Sequence, residues 1–454
     1  MTQTYISRRP APAERKFTSP AVEETLQRVK SQIADPELAW LFENCYPNTL
    51  DTTVRFRPDG GEGGGPDTFV ITGDIDAMWL RDSTAQVWPF LPLVKADPRL
   101  MQLFAGVIRR QCACILYDPY ANAFMADPEE KTQWVSDHAL MLPGIHERKW
   151  EIDSLCYPIR LAHGYWTQTG DATPFDARWE QAMALILQTF REQQRKNGPG
   201  PYYFHRDERG QPLTSRSASG EPVPDFGPPA QPNGLICSRF RPSDDATTFQ
   251  YLIPSNFFAV AALRQMAELV NMLGRSSKLA EEATALADEV AGALAAHARV
   301  EHPEHGTIYP YEMDGLGGVL LMDDANVPSL LSLPYLGACD PADPIYQATR
   351  RFIWSKANPW FAEGKYVGVG SPHTGPSTIW PIALSMYALT STSETEVAAI
   401  IATLKATHAG TGFMHEAFHA DDPTDFSRTW FAWANSLFGE MIVQTAERFP
   451  RLLG

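Results

Sequence analysis

The sequence predicts an all-α fold, an (α/α)6 barrel: a toroid of helical hairpins with short β segments in its loops. Three observations point there. Apolar residues recur at helical spacing in stretches spread along the chain, while strand signals are few. The helical stretches recur as pairs along most of the chain. Between pairs lie segments rich in Gly, Pro, Trp, Asp and His, suited to loops that build a site on one face.

Taken in order, amphipathic periodicity predicts helices at Glu23–Ile33 and Glu37–Cys45. In Pro98–Leu116 the residues Leu100, Leu103, Phe104, Val107 and Ile108 mark one face. Further helices are expected at Asp153–Thr169, Asp176–Arg195, Phe257–Leu273 and Lys278–His297. Three more follow at Thr378–Thr390, Glu394–Thr407 and Ser427–Thr445. The best strand signal is Thr68–Thr72, with a weaker one at Gly317–Met322. Arg57–Asp67, with its Gly-rich run, and the Pro/Gly/Ser-dense Asn197–Pro232 read as surface loops. Neither reads as a linker, so residues 1–454 are expected to form one catalytic domain, with 1–20 as an extended tail.

Composition narrows the function. With 38 Lys+Arg against 54 Asp+Glu, the net charge is −16, which repels nucleic acid and anionic membranes. No apolar run approaches ~18 residues, so no membrane span is expected. Arg8 and Arg9 are not followed by an apolar stretch of a signal peptide, which predicts a cytoplasmic chain, or a periplasmic or secreted one if a signal was removed. The six cysteines are sparse, sit in apolar segments and lack metal-ligand spacing, so they are expected to be reduced thiols. Neither a metal nor a cofactor is expected. The 12 Trp and 15 Tyr suit sugar binding, which uses flat aromatic faces beside polar forks, although most aromatics in any chain belong to the core.

Four constellations carry the chemistry. The first is Gly73-Asp74-Ile75-Asp76-Ala77-Met78-Trp79-Leu80-Arg81-Asp82-Ser83. Ser83 and Gln86 fit a capping box, so a helix is expected to start at Ser83, leaving Asp74, Asp76, Trp79, Arg81 and Asp82 on a loop. Carboxylates can accept from sugar hydroxyls, Arg donates a rigid fork, and Trp covers a ring face. The same residues could instead brace the loop as an Arg–Asp network.

This segment, GDIDAMWLRDS, resembles the signature of glycoside hydrolase family 125, the exo-α-1,6-mannosidases. The resemblance spans roughly residues 20–450 and departs chiefly at Glu62–Pro66 and Gln211–Pro232. It implies an (α/α)6 enzyme that works without metal and inverts the anomeric centre, taking a neutral α-mannoside glycan.

The second constellation, Phe240-Arg241-Pro242-Ser243-Asp244-Asp245-Ala246, resembles the family segment that supplies the general acid. Two adjacent carboxylates can raise each other's pKa, but a helix capped by Ser243 would lower both, leaving burial or a further carboxylate to override it. Asp244 is favoured and Asp245 remains open, with the neighbour holding Arg241 or a sugar hydroxyl. The third, Gly412-Phe413-Met414-His415-Glu416-Ala417-Phe418-His419, resembles the segment holding the base, and Glu416 is the matching residue. Glu416 needs a donor beside it to stay ionised, and His415 and Arg428 are the candidates.

The fourth set comprises loop–helix junctions that resemble the family's pocket walls. Asp153, Asp324, Asn326, His373 and Trp380 are the expected sugar contacts there, although Asp and Asn are also common helix caps. The competing readings are another helical-toroid glycosidase of different linkage or sugar preference, and a non-catalytic carbohydrate-binding protein.

Overall fold

The computed structural model describes residues 5–61, 64–206 and 225–454. It is helix-rich with short strands. The helices are α1 (Pro20–Lys30), α2 (Pro36–Cys45), α3 (Asn48–Thr52), α4 (Leu80–Ala85), α5 (Pro98–Tyr117), α6 (Ile152–Thr169) and α7 (Ala177–Gln193). They continue with α8 (Ile253–Met272), α9 (Ser277–His297), α10 (Pro344–Ile353), α11 (Pro381–Leu389), α12 (Glu394–Thr407) and α13 (Ala432–Arg448).

Apart from the five-residue α3, which follows Pro47 without a side-chain cap, the helices fall into two classes, and their first residues tell them apart. Helices α1, α2, α5, α7, α9, α10 and α12 start on a Ser or Asp whose side chain accepts from a backbone N–H of the first turn. These caps satisfy amides that would otherwise face water. Helices α4, α6, α8, α11 and α13 have no side-chain cap. They start on Trp79, Glu151, Leu252, Trp380 and Phe431 and are buried along most of their length. A helix that is apolar nearly all round belongs in a core. The buried helices pack on one another, α4 on α6 and α13, α6 on α8, and α11 on α13. The capped helices lie against them, as α9 does on α8 and α12 on α11.

Short antiparallel strands precede several buried helices. Met78–Trp79 pairs with Ala123–Phe124, Tyr251–Leu252 with Glu312–Met313, and Thr378–Ile379 with Phe418–His419. The expected strand at Thr68–Thr72 is present as Asp67–Val70, paired with Val54–Arg57. Of Gly317–Met322, only Val319–Leu320 forms a strand.

One expectation fails locally. Helix α4 begins at Leu80, not at Ser83, and Ser83 Oγ donates to the Leu80 carbonyl at 3.0 Å instead of capping. The Gln86 amide donates to the Ile71 carbonyl. Pairing of Met78–Trp79 fixes where the chain can turn, so Arg81 and Asp82 lie in the first helical turn. The segment after Ser243 likewise forms no helix before Ile253.

The cysteines are free thiols, five of them buried, as expected. No helix among the described residues is long and apolar enough to cross a membrane. Residues 5–19 form no helix but are held to the body: Phe17 is buried, and Arg9 is paired with Glu23 and Asp51. Part of the Gly-rich run (62–63) and most of the Pro-rich segment (207–224) lie outside the described residues.

Candidate active site

The N-terminal ends of the buried helices α4, α11 and α13 meet at a recess of about 360 Å³, open to solvent. Its walls come from three of the four constellations and part of the fourth. Ile75, Trp79, Arg81 and Asp82 come from the first, with Thr72 just before it; Ser243 and Asp244 come from the second; and Glu416 comes from the third, with Arg428 and Phe431 on the segment that follows it. Asn326, His373 and Trp380 complete it. Gly73 joins the first wall to the third. Its φ is +125° and an added Cβ would lie 2.3 Å from the Trp430 carbonyl oxygen, so only glycine permits this approach.

Behind the recess lies a buried charge cluster. Arg81, 2% exposed, donates to Glu151 at 2.7 Å and to Asp153 at 3.0 Å. Its guanidinium also lies 3.5 Å from Asp82 and 3.8 Å from Asp244. Burial pushes the Asp82 carboxyl up to about 6, against the pull of Arg81. Converging helix N-termini favour this density of carboxylates, because their amides carry partial positive charge.

Asp244 faces the recess with 26% of its side chain exposed. Its φ of +68° lies in the left-handed region, which Asp tolerates better than most residues. A tight turn holds it there, with Asp244 N donating to the Arg241 carbonyl and Arg241 N to the Asp245 carbonyl. Asn122 Nδ2 lies 3.3 Å from Asp244 Oδ1. Burial would raise the Asp244 carboxyl, but Lys149, Arg81 and a hydrogen bond from Glu151 hold it below the ordinary aspartate value.

Asp245 turns the other way and holds His373 Nδ1 at 3.1 Å. Burial would lower the His373 pKa, but the bond to Asp245 and the charges of Asp244, Asp245 and Glu416 push it up to about 9. His373 should therefore stay cationic through neutral pH. A raised histidine pKa contributes stability that is complete below the ordinary value of about 6.5 and is lost as pH rises through about 9. An NMR titration of the imidazole should give a midpoint near 9, falling in Asp245→Asn; a wild-type midpoint near 6.5 would refute the pairing.

Glu416 is 8% exposed and accepts from Ser427 Oγ at 2.9 Å. Arg428 Nη1 lies 3.5 Å away, and the same guanidinium donates to Asp74 at 2.5 and 2.9 Å. Of the two donors expected for Glu416, Arg428 is in place. His415 faces away, stacked on Phe426 at 3.7 Å and bonded to the Arg428 carbonyl.

Of the expected site residues, Trp79, Arg81, Asp82, Asp244, Asn326, His373, Trp380 and Glu416 line the recess. The others stand back from it. Asp76 is exposed and paired with Arg55, and Asp74 is held by Arg428. Asp153 is buried under Arg81. Asp324 accepts from Ser243 at 2.6 Å. The Arg241 guanidinium is bound to the fully buried Glu312 carboxylate at 2.6 Å and not to the Asp245 carboxylate, which is on His373; each buried charge is thereby paired. Glu151, Asn122 and Lys149 were missed. Lys149 and Glu151 belong to one of the loop–helix junctions, Lys149–Ser154, from which only Asp153 is expected as a sugar contact; nothing local marks Asn122.

Residues 35–443 match the family of metal-independent α-mannosidases, glycoside hydrolase family 125. A Streptococcus pneumoniae protein of that kind, solved in a non-productive complex with α-1,6-mannobiose, is 42% identical, with a TM-score of 0.88 over 95% of this chain and 99% of that one. The meiotically up-regulated gene 157 protein of Schizosaccharomyces pombe is 40% identical over 98% of this chain and 89% of its own length. A wild-type glycosidase structure at 12% identity aligns over 96% of this chain and 98% of that one with a TM-score of 0.52, a likeness of fold alone. The chain is a glycoside hydrolase and belongs to family 125, the metal-independent α-mannosidases.

Proposed function

We propose that the enzyme removes terminal, non-reducing α-1,6-linked mannose by single displacement with inversion. The observation that carries this reading is that Asp244 and Glu416, from distant segments, face one recess while held by separate neighbours. Asn122 and Arg81 hold Asp244, and Ser427 and Arg428 hold Glu416. Asp244 protonates the glycosidic oxygen, and Glu416 takes a proton from the water that attacks C1 from the opposite face. Inversion requires the two carboxyls to stand about 6.5–9.5 Å apart, with that water between them. Asp244 is preferred over Asp245 because Asp245 is turned to His373.

The recess ends on the buried Arg81 cluster, which supports exo action on one terminal ring. Trp79, Trp380 and Phe431 offer apolar faces, and Asp82, Asn326 and Arg428 offer polar groups to its hydroxyls. The two classes of helices are what a closed (α/α)6 toroid of one domain would contain, with uncapped helices inside and capped ones outside. The linkage preference rests on the complex of the S. pneumoniae relative.

Proton NMR of α-1,6-, α-1,3- and α-1,2-mannobiose hydrolysis tests this reading. β-Mannose should appear first, from the α-1,6 disaccharide, at the same rate with EDTA. Appearance of α-mannose first would make the enzyme retaining, and turnover of another disaccharide alone would overturn the linkage.

A further inference from the structure

We propose that Glu151, buried behind Asp244, holds the proton that Asp244 delivers to the leaving oxygen. The inference rests on the reading of Asp244 as the acid.

The chemistry demands an acid that is protonated when substrate binds. Asp244 alone is poorly suited, since it lies beside Arg81 and Lys149, which favour its anion. The charged groups facing Glu151 explain where the proton can reside. They are Arg81 of α4, Asp153 of α6, Lys149 of the preceding segment and Asp244, with Asp82 joined to them through Arg81 and Glu147 through Asn122. Even with Arg206 on Glu147, carboxylates outnumber cations. With Glu151 and Asp153 fully buried, the coupled cluster resists complete ionisation and retains a proton.

Geometry selects Glu151 as its holder. The side chain is completely buried. Its Oε2 is taken by Arg81 Nη1 at 2.7 Å and Ser154 Oγ at 2.9 Å. Its Oε1 lies 3.4 Å from Asn122 Nδ2, the same amide nitrogen that stands 3.3 Å from Asp244 Oδ1. When one of the two carboxyls is protonated, a hydrogen bond between Glu151 and Asp244 raises the pKa of Glu151 and lowers that of Asp244. Asp153 is paired with Arg81 as well, at 3.0 Å, but the Asn122 amide nitrogen that reaches Asp244 is shared with Glu151 and not with Asp153. Burial, opposed by Arg81 and reinforced by Asp244 and Asp153, lifts the Glu151 carboxyl well above the ordinary glutamate range.

The step balances as follows. The C1–O bond breaks and its electron pair goes to the leaving oxygen, which takes a proton from Asp244. Asp244 has received that proton from Glu151. Glu416 meanwhile takes one proton from the attacking water. Before the next turnover, Glu416 releases its proton to solvent and the Glu151–Asp244 pair takes one back. Glu151 is thus a positioning residue that acts through Asp244.

The test compares α-1,6-mannobiose with 2,4-dinitrophenyl α-mannoside, whose leaving group needs no proton. Glu151→Gln should lower kcat/KM for mannobiose by about 10- to 100-fold, within the range of general acid catalysis. The loss on the dinitrophenyl substrate should be at least tenfold smaller. The basic limb of the mannobiose pH profile should move to lower pH, since Asp244 alone sheds its proton earlier. Glu151→Asp, which keeps a titratable group, should restore part of both. Equal losses on the two substrates, or an unmoved basic limb, would overturn the proposal. Asp244→Asn separates the two ideas. If it abolishes mannobiose cleavage while Glu151→Gln does nothing, only the role of Glu151 fails; if it retains mannobiose cleavage, the acid itself is misassigned and both fail.

Discussion

Glu416→Gln is expected to lower kcat for α-1,6-mannobiose by about 10²- to 10⁴-fold, the usual contribution of a positioned general base. KM should change little. The amide oxygen of Gln can still accept from Ser427 Oγ, now 2.9 Å from the carboxylate, so the wall keeps its shape. What disappears is the basic oxygen proposed to take the proton from water. Arg428 keeps its stronger partner, Asp74, and so should not swing into the recess. Steady-state kinetics on the disaccharide give the answer directly. A variant retaining more than about a tenth of wild-type kcat would exclude Glu416 as the base. A rise in KM with kcat intact would make it a sugar-binding residue.

Arg81→Met should have the largest effect on stability. Arg81 is the cation shared by Asp82, Glu151, Asp153 and Asp244. Removing one partner of a buried ion cluster leaves uncompensated charge and costs about 3–5 kcal/mol. The deficit should depend on pH. Without Arg81, burial raises the carboxyls further, so the folded protein binds more protons than the unfolded chain, whose carboxyls titrate near about 4. Stability then falls as pH rises above that value, and the deficit against wild type grows from acid to neutral pH. Wild type should show a weaker fall of the same sign, as Asp82 ionises near about 6. Urea unfolding at pH 5 and pH 7.5 measures both. A deficit below about 1 kcal/mol, or one equal at the two pH values, would mean that the cluster is not held together by this cation.

Local sequence was enough for the helix content, for most helix positions, and for the segments that build the recess. The reason is physical: periodicity reports which face of a helix is buried, and Ser or Asp before an apolar run marks an outer helix start. The chemical types at the recess were likewise legible, because Trp, Arg and carboxylates crowd into short loops. Where each side chain points was decided only by the tertiary structure. Asp244 and Asp245 are adjacent and identical in kind, yet a left-handed turn aims one at the recess and the other at His373. His415 and Arg428 were equal candidates beside Glu416 until stacking on Phe426 removed one. The start of α4 moved because a two-residue strand pairing outweighed a capping box. Asn122, Lys149 and Glu151 were placed by contacts between segments far apart in the chain. Periodicity and capping act within a few residues and can be read along the chain. Burial of charge, hydrogen-bond partnership and proton sharing depend on neighbours through space, and those exist only once the helices have packed.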